Sequence, residues 1–150
     1  MTDQHDTSKL DDLIVTTIDS VRGYENAAEH ADAARYAGFF REMAGERRGV
    51  VTELQAASRA LGGTPSDFGS VAATIHRRWE DLRSALGGGD EAIVKEVERG
   101  EDYLKEEYDR VLADEHMSAA ALEAVRTAYQ SVRHGHDSAS RLKHAFEAAS

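Results

Sequence analysis

Glu101 is the residue of this chain best placed to do chemistry. In the run VKEVERGEDYLKEEY, residues 94–108, Val94, Val97, Leu104 and Tyr108, followed by Val111, recur at helical spacing, and Glu101 falls inside their stripe. A carboxylate on the buried face of a helix must meet a metal, a proton, an arginine or a hydroxyl, because an unpaired charge in a core is costly. Arg47, Arg133 and the Tyr129 hydroxyl are partners within the chain. Glu46 and Glu25, on the edges of apolar stripes, and His136, on the stripe of the last helix, could join Glu101 as metal ligands. Counting along the helices offsets His136 from Glu101 by about six residues, ~9 Å, which is far for a shared ion. The plainer reading pairs Glu101 inside the core, keeps His136 as a hydrogen-bonded core histidine, and turns Glu46 and Glu25 to water. His134 lies off the stripe and is expected to be exposed. No Ser-His-Asp set, phosphate loop or deaminase pattern occurs, so no catalytic residue and no organic cofactor are assigned, and the balance leans against an enzyme.

The elements that must position these residues are helices. The chain has 150 residues, one proline and no alternating β-branched run, and Ala, Glu, Arg and Leu dominate its long unbroken stretches. One domain over residues 1–150 is expected, frayed at 1–7 and 147–150. The first long helix starts near Ser8, with Ser8 and Asp11 as a capping box. Its stripe is Leu10, Leu13, Ile14, Thr17, Val21, Tyr24 and Ala28, and Asp19 on the opposite side should face solvent. A break at 31–34, with Asp32 as cap, leads into a second helix over about 33–61 that ends at Gly62-Gly63. That helix carries Tyr36, Phe39, Phe40, Met43, Val50 and Leu54, interrupted by Glu46 and Arg47. Thr64-Pro65-Ser66-Asp67 reads as the start of a crossover helix bearing Phe68, Val71, Ile75, Trp79, Leu82 and Leu86. Trp79 would anchor it to the bundle, with His76 at the boundary. A third long helix is capped by Asp90 and runs to about Ala113. A fourth, capped by Ser118, carries Leu122, Val125, Tyr129, Val132, His136, Ala139 and Phe146. Short connections make two antiparallel helical hairpins, and a crossover of about 20 residues can span ~30 Å between them.

Composition narrows the function classes. The net charge of −10 argues against nucleic-acid and anionic-membrane partners. The absence of cysteine removes thiolate catalysis and thiolate metal sites. The start, MTDQHDTSK, has no apolar signal core, and no apolar run reaches the roughly 18 residues of a membrane span, so a soluble cytoplasmic protein is expected.

Several words of the chain together resemble an uncharacterised bacterial family of four-helix bundles in the ferritin-like (rubrerythrin-like) superfamily. They are Asp12-Leu13-Ile14 with Thr17 and Asp19, Ala44 with Glu46-Arg47, Leu61-Gly62-Gly63-Thr64-Pro65, His76-Arg77 with Trp79, Glu98-Arg99-Gly100-Glu101-Asp102 with Tyr108, and Gln130 with His136-Asp137. The resemblance implies an all-α, ferritin-like four-helix bundle rather than an activity. In the wider superfamily, one Glu from each of two helices joins Glu-x-x-His from each of the other two around two metal ions. Here Gly49 stands where the second helix needs its His, and Gln130 and Arg133 stand for Glu and His in the last helix. A degraded di-metal site is therefore implied. The expected role is a structural or protein-interaction module, with a homodimer suggested by superfamily habit and by Tyr36, Phe39 and Phe40. The alternatives are an iron or manganese oxidoreductase or metal-handling protein, and a small-molecule or lipid carrier.

Overall fold

The computed structural model describes residues 4–69 and 89–149. Four helices hold most of them: α1 Gln4–His30, α2 Ala34–Ala60, α3 Asp90–Leu112 and α4 Ala119–Ala149. Among the described residues there is no strand, and no helix is long and apolar enough to cross a membrane. The all-α expectation holds, as do the break near residues 31–33, the end of α2 before Gly62 and the bounds of α3. Gly62 turns the chain out of α2 at φ +85°, a conformation that glycine takes without strain. The expected crossover stripe from Val71 to Leu86, with His76 and Trp79, lies outside the described residues.

Each helix has one apolar face, so the faces must be buried against one another. α1 packs chiefly on α2 and α3 on α4; α1 also meets α3, and α2 meets α4. α2 and α3 therefore stand across a diagonal. At one end of the bundle, Asp6 of α1 accepts from the Ser118 N–H that opens α4, and Asp11 holds Ser66 just beyond α2. At the other end, Asp90 accepts from the backbone N–H groups of Asp32 and Ala33. The chain thus leaves α2 at one end and enters α3 at the opposite end.

Several caps differ from the sequence expectation, and each difference has a long-range cause. α1 is already helical at Gln4, ahead of Ser8, with Asp6 buried against the α4 terminus and His5 Nε2 2.7 Å from Asp114. Asp32 does not cap α2; the residue before that helix is Ala33, and the Asp90 carboxylate serves this turn from across the bundle. Asp90 is correspondingly not the cap of its own helix, which follows Gly89. Ser118 does cap α4, accepting from the Ala121 N–H at 3.1 Å. Residues 64–69 are not helical. Asp11 captures the Ser66 N–H and hydroxyl, while Gln55 donates to the Ser66 carbonyl. Asp19 faces the backbone at Gly69 rather than open solvent.

α4 is also rotated from its expected phase. Its buried line is Ala121, Val125, Ala128, Val132, Gly135, Ser138 and Ala139, with Leu122, Tyr129, His136 and Phe146 only partly covered. Small residues let the helix axis approach its neighbours, and the larger side chains flank the seam. Tyr36, Phe39 and Phe40 pack within the chain: Phe39 and Phe40 on Tyr24, and Tyr36 on Phe146.

The core falls into two apolar clusters. One gathers Leu10, Leu13, Ile14, Leu54, Leu104, Tyr108 and Val125 near the Ser118 end; the other gathers Tyr24, Phe40, Met43, Ile93, Val94 and Val97 near the Asp90 end. In the first, the Tyr108 hydroxyl lies 2.8 Å from Thr17 Oγ1. Burial pushes Tyr108 up to about 12, against the lowering effect of the Thr17 hydrogen bond. Folding raises this pKa, so the neutral phenol stabilises the bundle fully below about pH 10, the unfolded value, and that stability is lost as pH climbs toward 12. Urea melts should be flat in pH up to about 9.5 and then fall, with Tyr108 supplying up to about 2–3 kcal/mol of the loss. Tyr108→Phe should blunt that fall; an identical alkaline loss in the variant would refute the assignment.

Candidate functional site

Between the two apolar clusters lies a polar layer. Arg47 is the middle residue of α2 and Glu101 the middle residue of α3. Their side chains meet across the diagonal, with Arg47 0% and Glu101 3% exposed. The contact is bidentate: Nη1 donates to Glu101 Oε1 at 2.8 Å and Nη2 to Oε2 at 2.5 Å. The remaining guanidinium donors go to the two other helices. Nη1 also donates to Ser20 Oγ of α1 at 2.5 Å, Nε to Ser131 Oγ of α4 at 3.0 Å, and Nη2 to the Ser131 carbonyl at 3.1 Å. A guanidinium has five N–H groups, and five contacts are made, so its donor capacity is filled.

Tyr24 completes the layer from α1, its ring centroid 5.5 Å from the Arg47 guanidinium carbon. Its buried hydroxyl has no hydrogen-bond partner among the described residues. Burial first, and the nearby Glu101 charge second, hold its pKa well above the ordinary value. Burial works against the Arg47 charge, but Glu101 overrides it and the guanidinium pKa is raised. The layer is a closed, charge-balanced core.

The sequence candidates occupy separate places. Glu101 is paired with Arg47, not with Arg133, which is exposed, nor with Tyr129, whose ring lies beside Lys105. Glu46 sits at the surface edge of the layer. It accepts from the Ser131 hydroxyl at 2.5 Å and lies 3.3 Å from His134 Nδ1. Ser131 therefore links Glu46 to Arg47 without bringing it to Glu101. Glu25 is a half-exposed partner of Arg48 at 2.6 Å. His136 is not central to its helix face: its Nε2 lies 2.7 Å from Asp102 and its Nδ1 3.3 Å from Asp137, at the bundle surface. Among the described residues, no three His, Asp or Glu side chains gather as a group that could hold a metal ion.

Sequence reasoning missed Ser20 and Ser131, and it missed Gly135. Gly135 sits mid-helix in α4, and a Cβ there would run into Glu101 Oε2 and Arg47 Nη2 and lie 3.0 Å from Met43 Cε. The ion pair thus packs on bare α4 backbone. The available signal was a glycine kept in a helix interior, where it disfavours the helix by ~1 kcal/mol. Gly100 carries the same signal but has nothing within 4 Å of its Cβ position. Gly135→Ala should therefore destabilise the protein by about 2–4 kcal/mol, by displacing a buried ion pair. Gly100→Ala should stabilise it by about 0.5–1 kcal/mol. Chemical denaturation of the two variants checks both signs, and equal effects would contradict the close approach at Gly135.

Comparison with curated proteins and with solved structures gives no match. A family model described as "Domain of unknown function (DUF2383)" matches residues 6–114. The matched span runs from α1 through α3 and includes both Arg47 and Glu101, whereas α4, with Ser131 and Gly135, lies beyond it. As the match covers well over half of the chain, the protein belongs to this family, Domain of unknown function (DUF2383).

Proposed function

We propose that the chain is a ferritin-like scaffold of two antiparallel helical hairpins joined by a long crossover. Its central layer is closed by an ion pair, and it works as a structural or protein-interaction module rather than as an iron or manganese oxidoreductase. The exit of the chain from α2 and its entry into α3 at opposite bundle ends support the crossover. The observation that carries the functional reading is the saturation of the ion pair: five Arg47 contacts and both Glu101 oxygens are committed to protein partners. An ion entering here would have to displace a guanidinium and leave it buried without its counter-charge, a loss of about 3–5 kcal/mol. Neither Glu46, Glu25 nor His136 stands beside Glu101 to offset it.

Elemental analysis of untagged protein tests this reading, on samples purified without chelator and again after aerobic loading with Fe(II) and Mn(II). No stoichiometric metal is expected in either sample. Tightly held metal at one or two ions per chain, lost in Glu101→Ala while the helical signal is kept, would replace the module by a metal site.

A further inference from the structure

A groove of about 470 Å³ lies between α2 and α4 and is lined by Arg35, Tyr36, Phe39, Ser138, Arg141, Leu142 and Ala145. Its size falls in the range of small-molecule sites. Tyr36, Phe39 and Leu142 line it with apolar surface and are only partly covered by the bundle. Two cations stand among them. Arg35 lies over the Tyr36 ring at 4.7 Å and donates to its hydroxyl at 2.9 Å. Arg141 donates to Ser138 Oγ at 3.3 Å, and that hydroxyl can donate onward.

These arginines differ from several other cations of the described residues. Arg48, Lys95, Arg99, Lys105, Arg110 and Lys143 each stand within ion-pair distance of a carboxylate. Among the described residues, Arg35 and Arg141 have no such partner, only neutral hydroxyls. An apolar lining with two guanidinium groups and a hydroxyl donor complements an anionic head on an apolar chain, and a carboxylate is the smallest such head. We propose that this groove binds a single-chain organic carboxylate, its tail on Tyr36, Phe39 and Leu142 and its head between Arg35 and Arg141. The inference goes beyond the scaffold reading and is independent of whether the central layer holds metal.

Titration of the full chain with carboxyl-¹³C decanoate, followed by NMR and calorimetry, tests it. One decanoate per chain should bind, with a Kd on the order of 100 μM. The double variant R35Q/R141Q should bind about tenfold more weakly, and A145F, which fills the groove, should not bind. Both variants should keep the wild-type melting midpoint, because Arg35, Arg141 and Ala145 are exposed. Decylammonium should bind no better to the wild type than to the double variant. The proposal is overturned by equal binding of decanoate and decylammonium, by no decanoate binding, or by binding indifferent to both variants. Sedimentation with phosphatidylglycerol vesicles without binding of free decanoate would overturn it in favour of a membrane surface. Dimerisation lost in A145F, again without decanoate binding, would overturn it in favour of a second copy of the chain.

Discussion

Two opposite charges removed from water at the centre of a helical bundle constrain everything around them. The desolvation of a guanidinium and a carboxylate is offset only by close geometry and by partners for every remaining donor. Arg47 and Glu101 meet both demands by drawing on all four helices. α2 and α3 supply the charges, α1 supplies Ser20 and the Tyr24 ring, and α4 supplies Ser131 and the gap at Gly135. Apolar contacts alone tolerate some sliding of one helix along another; a bidentate contact with three further hydrogen bonds does not. The layer therefore fixes the register of the four helices, and the apolar clusters on either side fill in around that register.

Much of this was legible in the sequence, because local periodicity and glycine punctuation carry it. The stripe of α3 pointed Glu101 inward, and Arg47 was among the partners open to it. What stayed hidden was set by contacts distant in the chain. Asp90 looks like the cap of its own helix, yet its carboxylate is held by the turn at residues 32 and 33. Ser8 and Asp11 look like a capping box, yet Asp11 holds Ser66. Arg47 looked like an interruption of an apolar face, since arginine is rarely buried without a matched carboxylate; here that carboxylate lies 54 positions away. The face of α4 was misjudged because large residues were weighted over small ones. Close helix approach adds Ala121, Ala128 and Gly135 to the expected Val125, Val132 and Ala139, and moves His136 to the boundary beside Asp102.

The same physics separates what the interior and the surface offer to function. The interior has its central charges matched and the Arg47 donors filled, which suits a rigid scaffold. The surface holds uncommitted chemistry, in the groove that Arg35 and Arg141 line together with aromatic and aliphatic side chains.

Arg47 and Glu101 act as one unit, and a double-mutant cycle in chemical denaturation tests this most directly. Arg47→Met and Glu101→Leu should each cost about 3–5 kcal/mol, because each strands a buried charge. The double variant, with both charges gone, should be more stable than either single one, giving a coupling of several kcal/mol. Additive losses would mean that the two side chains do not depend on one another, and would contradict the account.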